Sequence, residues 1–369
     1  MPDPELLELA SDLVSIPSHE DATAAGDAIQ TWLEAETDAR MSRDDSGNVI
    51  ARKGTGAPSL ALVGHHDVVE PAADQVVGDE YRVERRDGRL HGRGTADMKG
   101  AVAAMLCAFR DATPAGELVF ASFVGEEEGG VGARAAIERG FAPDFAVVGE
   151  GSAGYSAPGV LDVAVAHKGR RGSTIVIEGD AAHASEPEAG VNAVYRACSV
   201  IGQLRELAVP GIEVAGTTAT GSLAVTGIEG GTAWNVIPAE CTVTVDERTV
   251  PGERAAIESV AEPEWVDWTV EQDLPPMQCD DPAFEEVVLE AARTAQDAEK
   301  GEENVPQPVL KPHATDAGWL AEAGTTCVVC GPAEPGEAHT ADESVSIELL
   351  EAARRCYERV GTAWPGTKR

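Results

Sequence analysis

Positive charge is what this 369-residue chain has least of. It carries 28 Lys+Arg against 64 Asp+Glu, a formal net charge of −36, and lysine is the scarcer of the two cations. Phosphate contacts need clustered cations, so nucleic acid is excluded as a partner. The acids are spread along the chain rather than gathered in a tail. A folded protein of this kind repels itself in dilute buffer, and concentrated salt screens that repulsion. The expectation is a halophilic protein, working in a high-salt cytoplasm. Long apolar runs are missing too. None approaches the roughly 20 residues that cross a bilayer, and MPDPELLELASDLVSIPS lacks the basic start and apolar block of a secretion signal. No membrane partner and a cytoplasmic location are expected. Cysteine is sparse, and its odd count of 7 argues against a disulfide framework. Cys327 and Cys330 form a C-x-x-C, but TTCVVC reads as a buried strand, and no second C-x-x-C completes a four-thiolate zinc site.

What is present suffices for more than one core. The length exceeds what a single core usually supports, which predicts two domains. Four apolar, β-rich runs stand out: SLALVGHHDVV (59–69), ELVFASFVGEEE (117–128), PDFAVVGEG (143–151) and TTCVVCGPA (325–333). Helix-like segments lie around them, among them 24–35, 99–112 and SIELLEAARRCYERVGTAW near the end. Strands alternating with helices predict an α/β domain with a mostly parallel sheet covered on both faces. The middle differs. GSTIVIEGD (172–180), GSLAVTGIEGG (221–231) and ECTVTVDERTV (240–250) have period-2 character, with one helical stretch between the first two. That pattern predicts a smaller inserted α+β domain over 171–273, leaving the larger domain discontinuous over 1–170 and 274–369.

Chemistry gathers where apolar strands end. LALVG runs into His65-His66-Asp67, LVFASFVG into Glu126-Glu127-Glu128, and FAVVG into Glu150. Ligands of open α/β sheets bind outside the carboxyl ends of the strands. A row of carboxylates there repels itself unless a cation neutralises it, and mixed His/carboxylate ligation suits zinc or a similar divalent metal. Each residue alone also has an ordinary reading. A histidine after a strand commonly sits in a turn, three glutamates make a solvated acidic turn, and Asp97 in HGRGTADMKG could cap the helix beginning near Lys99.

Seven stretches in order resemble one family. They are G-H-x-D-V-V (Gly64 to Val69), G-R-G-x-x-D-M-K-G (Gly92 to Gly100), the glutamates of VGEEEGGVGAR, G-E-x-S (Gly149 to Ser152), G-x-x-A-H-x-S-x-P-x-x-G-x-N-A (Gly179 to Ala193), T-A-x-N-V-I-P (Thr232 to Pro238) and A-H-T-x-D-E (Ala338 to Glu343). The chain resembles the zinc-dependent exopeptidases and deacylases that include acetylornithine deacetylase, succinyl-diaminopimelate desuccinylase, aminoacylase and glutamate carboxypeptidase. The resemblance implies two zinc ions per subunit, with cobalt or manganese as substitutes. His65 and Glu150 would hold one, Glu127 and His339 the other, and Asp97 would bridge them. Asp67 would orient His65, Glu126 would be the general base, and a cis peptide would follow Asp97. His183 would supply an oxyanion donor and Asn235 would serve a neighbouring active site, both across a homodimer.

In the family the glutamate pair stands at a fixed distance before Gly-Ala-Arg, which places it at Glu126 and Glu127. Gly125 departs from the aspartate many relatives carry there, so the pair Glu127 and Glu128 stays open. Arg170 and Arg171 in HKGRRGS are expected to read a substrate carboxylate by forked hydrogen bonds. Asp316 falls where desuccinylases carry G-T-S-D and carboxypeptidases G-T-D-A, and this mixed pattern leaves the acyl group open. The implied activity is removal of an N-acyl group from a small amino-acid substrate. N-succinyl-diaminopimelate is the first candidate and N-acetylornithine the second. The alternatives are a small-peptide carboxypeptidase or dipeptidase, and a non-catalytic metal-retaining binding protein.

Overall fold

The computed structural model describes residues 3–296 and 304–364, so the ends of the larger expected domain lie outside the described residues. The chain falls into two compact units. One holds residues through Ala166, Met277–Lys311 and Thr315 onward; the other holds His167–Pro276 and Pro312–Ala314.

The larger unit is built on a mixed sheet. Its strand order is Arg40–Arg43, Val49–Gly54, Glu117–Phe123, Ser59–His65, Phe145–Val148, Thr326–Val329, Val163–His167 and Met277–Gln278, with Pro308–Lys311 also pairing Val163–His167. The central four run parallel, and antiparallel strands flank them. Successive side chains of a strand point to opposite faces. Ala61, Val63, Val119, Ala121, Ala146 and Val148 therefore share a core with Ala133, Ala136, Ala317 and Leu320 of the helices Val131–Glu138 and Asp316–Glu322. Leu60, Leu62, Leu118, Phe120 and Val147 turn to the opposite face, and they too are buried. Burial on both faces accounts for apolar runs that do not alternate. Lys99–Asp111 contacts this sheet and packs against Pro4–Ser15 and Ile347–Ala363, and Pro282–Ala295 packs on the last. Cys327 and Cys330 are buried free thiols at the Thr326–Val329 strand.

The smaller unit is a four-stranded antiparallel sheet in the order Ser222–Gly230, Glu240–Thr249, Gly169–Glu178, Val266–Leu274. Its inward residues Ile175, Ile177, Val243 and Val245 close a core with Ala197, Val200 and Leu204 of the helix Ala193–Glu206. Asn192 caps that helix by accepting from Val194 N and Tyr195 N.

Candidate metal centre

Strand pairing brings three of the acidic and imidazole segments to one edge. Glu117–Phe123, Ser59–His65 and Phe145–Val148 are neighbours and parallel, so their carboxyl ends open side by side. His65 ends its strand, Glu126 and Glu127 follow theirs, and Glu150 follows the third. Asp97 arrives on the loop before Lys99–Asp111. It is not that helix's N-cap: Met98 is, and it makes no side-chain capping bond. The Asp97–Met98 peptide is cis. His339 sits on the loop before Ser344–Ser346 with a left-handed φ of 62°.

One carboxylate faces both imidazoles. His65 Nε2 lies 2.9 Å from Asp97 Oδ1 and 3.2 Å from Glu150 Oε1. His339 Nε2 lies 3.1 Å from Asp97 Oδ2 and 3.0 Å from Glu127 Oε1. Two three-residue groups result, His65–Glu126–Glu150 and Asp97–Glu127–His339, each with donor atoms mutually within 4.8 Å. The His65 Nδ1 is 3.1 Å from the Asp67 carbonyl oxygen. A carbonyl only accepts, so Nδ1 carries a proton, and Nε2 faces two carboxylate oxygens either with a second proton or, on the neutral ring, with a lone pair that a cation can take. A cation between them reconciles the arrangement, and nitrogen with oxygen donors in this mixture suits zinc or a similar divalent ion. The residues present therefore fit a metal. Glu127 N donates to Asp67 Oδ2 at 3.1 Å, which ties the two loops together.

The electrostatics point the same way. Burial opposes charge on His65, yet Asp67, Asp97 and Glu150 outweigh it and hold its pKa well above the usual histidine range. Asp97 and Glu127 push His339 up to about 10. Burial would raise Asp97, but the two imidazoles hold it far below the usual carboxylate range. Burial, reinforced by the charge of Glu150, pushes Glu126 well above its ordinary value, and burial raises Glu127. Glu128 is exposed. A pocket of this sign takes up positive charge.

Other residues singled out in the sequence sit differently. Asp316 is 3% exposed, and among the described residues neither carboxylate oxygen has a hydrogen-bond partner; burial pushes it up to about 7. In the smaller unit, His183 and Asn235 are side by side, Asn235 Nδ2 lying 3.5 Å from His183 Nε2. Arg170 Nε donates to Asp246 Oδ2 at 2.7 Å. Arg171 donates twice to Asp273 Oδ2, at 3.0 and 3.1 Å. A residue the sequence reading passed over is Lys311, whose Nζ stands 3.5 Å from Glu150 Oε2 and donates to Gly151 O at 2.8 Å. Its signal was its rarity: a lysine between apolar residues in a chain with few lysines. Beside Asp67 and Glu127 opens a cavity of about 430 Å³, whose wall also carries Glu20, Asp21, Glu70 and Glu128.

Comparison with known proteins places this geometry in a family. The model of the peptidase family M20/M25/M40 matches residues 61–362. An acetylornithine deacetylase from Myxococcus xanthus is 31% identical over 355 residues, covering 88% of this chain and 87% of that protein. A succinyl-diaminopimelate desuccinylase from Stenotrophomonas maltophilia is 30% identical over 383 residues, covering 96% and 98%. Among solved structures, a dinuclear metal-binding peptidase of the M20 family from Bacillus subtilis aligns with a TM-score of 0.71 at 18% identity over 96% of each chain. The chain belongs to the peptidase family M20/M25/M40 and is a metal-dependent hydrolase of amide bonds.

Proposed function

We propose that the protein removes the acyl group from an N-acyl amino acid with two zinc ions. His65 and Glu150 hold one, Glu127 and His339 hold the other, and Asp97 is shared. The observation that carries this reading is the Asp97 carboxylate, one oxygen to each imidazole. Cobalt and manganese are the natural substitutes for so mixed a donor set. Bound there, the ions supply Lewis acidity that lowers the pKa of a water and polarises the scissile carbonyl. The Asp67 carbonyl oxygen, 3.1 Å from His65 Nδ1, fixes that ring so that Nε2 faces Asp97 and Glu150. Glu126, whose proton affinity is raised by burial, takes the proton of the attacking water and passes it to the leaving amine. In a homodimer, His183 of the partner subunit would donate to the oxygen on which charge develops, and Asn235 of the partner subunit would serve the same site.

Two features favour N-acetylornithine over N-succinyl-diaminopimelate. Arg170 and Arg171 already donate to Asp246 and Asp273, which leaves fewer of their N–H groups for a succinyl carboxylate. The cavity beside Glu127 offers Glu20, Asp21, Glu70 and Glu128 to an amino-acid side chain, against Arg43, whose guanidinium is held by Asp27 and Thr23 O. An ω-ammonium group suits that wall better than a second carboxylate does. A dipeptide presents the same carbonyl and leaving amine to the site. One panel therefore decides: N-acetylornithine, N-succinyl-diaminopimelate and simple dipeptides, with and without chelator. Turnover of N-acetylornithine that chelation abolishes and zinc or cobalt restores is the expected outcome. Full activity after complete metal removal would end the dimetal reading. Turnover of dipeptides alone would make the enzyme a peptidase.

A further inference from the structure

Outside the metal-ligand set, one buried ion pair touches three of the loops that build the site. Glu343 is 1% exposed and Arg93 is 3% exposed. Glu343 Oε1 accepts from three backbone amides: Gly94 N at 2.9 Å, Ala96 N at 3.0 Å and Asp97 N at 3.2 Å. Its Oε2 accepts from Arg93 Nη1. Arg93 Nη2 donates to Glu70 O at 3.3 Å, on the segment that continues from His65 and Asp67. The Glu343 backbone joins in, its carbonyl accepting from Gly92 N at 3.0 Å. Directly beyond, Ser344 pairs with His91 across an antiparallel ladder. His339 lies four residues before Glu343 on the same loop. One carboxyl group thus holds the chain that delivers Asp97, sits on the chain that delivers His339, and reaches through Arg93 to the chain that delivers His65.

A buried ion pair is weak evidence of stability, because desolvation offsets most of the attraction and apolar replacements often serve as well. What such a pair can do is fix geometry. An oxygen accepting three consecutive-loop amides leaves residues 94–97 little freedom to rotate. Asp97 needs that rigidity, since its two oxygens must meet two imidazoles at once and a small rotation would forfeit one of them. Groups that orient metal ligands commonly tune affinity strongly.

We propose that Glu343, backed by Arg93, is a positioning residue that holds Asp97 between His65 and His339 and so sets the metal affinity of both groups. The inference rests on the dimetal reading of Asp97. It is tested on the full-length apo protein, titrated with zinc against a chromophoric chelator, with kcat and KM measured at limiting and at saturating zinc. Glu343→Asp keeps the charge that Arg93 needs and withdraws the acceptor by one methylene; Glu343→Ala removes it. Zinc affinity should fall roughly 10-fold in the first and roughly 100-fold in the second. Saturating zinc should return kcat of Glu343→Asp to the wild-type range, because the reacting groups are intact. Arg93→Met/Glu343→Gln retains an acceptor oxygen without stranding a guanidinium, and should bind zinc more tightly than Glu343→Ala but more weakly than the wild type, since the link from Arg93 to Glu70 O is lost. That variant and Glu343→Asp keep the test decisive if Glu343→Ala fails to fold. Zinc affinity within twofold of wild type in folded Glu343→Asp, or a kcat loss that saturating zinc does not rescue, would overturn the proposal. Asp97→Asn separates the two levels. If it binds zinc normally, the dimetal reading itself fails; if it loses zinc while Glu343→Asp does not, only the positioning role fails.

Discussion

A glutamine at position 126 would keep the size of the side chain and lose its ability to carry a proton. Glu126 groups with His65 and Glu150, whereas Glu127 Oε1 lies 3.0 Å from His339 Nε2. With Glu126 as the base rather than a ligand, Glu126→Gln should retain both metals and lose roughly 100- to 10,000-fold in kcat, the usual contribution of a general acid–base group. Glu127→Gln should instead weaken metal binding. Metal analysis beside turnover decides the register. Normal turnover in Glu126→Gln, with Glu127→Gln inactive yet fully metallated, would move the pair to Glu127 and Glu128. At this scale the sequence was informative where residue type alone dictates chemistry. His65, Asp97, Glu127, Glu150 and His339 stand in motifs, and the fold brings their donor atoms together. It was silent where the role depends on what surrounds the side chain. Nothing in KPHATDAGWL announces that both Asp316 oxygens are buried without partners among the described residues. Nothing in HKGRRGS reveals that the Arg170 and Arg171 forks meet Asp246 and Asp273, which lie about 75 and 100 residues along the chain.

The segment between Glu117–Phe123 and the helix Val131–Glu138 gives the glutamates their fixed place. Gly132 N donates to Val124 O at 2.8 Å, and Asn48 bridges the same two residues, accepting from Val124 N and donating to Gly132 O. A Cβ on Gly132 would lie 2.4 Å from both the Val124 carbonyl oxygen and Asn48 Oδ1. Backbone cannot give way there as the end of a side chain can. The loop from 124 to 132 is pinned at both ends, which is a physical reason for glutamates at a constant distance before Gly-Ala-Arg. Gly132→Ala is expected to cost about 1–3 kcal/mol, as overpacking does, and to lower turnover by shifting Glu126 and Glu127. Urea melts and kcat on the same preparation check it; a variant unchanged in both would remove this account of the spacing. Strands buried on both faces were legible as apolar runs. Among those passed over are Val163–His167, which is buried throughout, and the edge strands Arg40–Arg43 and Val266–Leu274, whose residues are largely partly or fully exposed. A strand with little burial leaves little hydrophobic periodicity to read.

Charge acts on the molecule as a whole. Acids outnumber bases by 36, so most carboxylates cannot be neutralised by a cation of the chain. Local networks exist. Arg110 meets Glu5 and Asp111, and Arg354 reaches Asp111 and Asp3. Exposed pairs of this kind contribute only about 0–1 kcal/mol each, and they leave the excess untouched. At 0.01 M salt, unpaired carboxylates repel one another over about 30 Å, and at 1 M that range shrinks to about 3 Å. Unfolding spreads the charges apart, so repulsion favours the unfolded chain most when salt is lowest. The metal centre compounds the effect, because Glu126, Glu127 and Glu150 converge in a buried space that only the folded chain maintains. We therefore expect the melting temperature of the metal-loaded protein to rise between low and molar potassium chloride. The competing account is that bound metals and arginine pairs already offset the repulsion where it matters, leaving an acidic protein with ordinary salt behaviour. Screening and metal stabilisation are told apart by repeating both melts on the apo protein. A salt dependence that persists there belongs to the net charge, since the ions that neutralise the centre are gone. A melting temperature unchanged by salt in both forms would sink the high-salt reading while leaving the amide-hydrolase assignment as it stands.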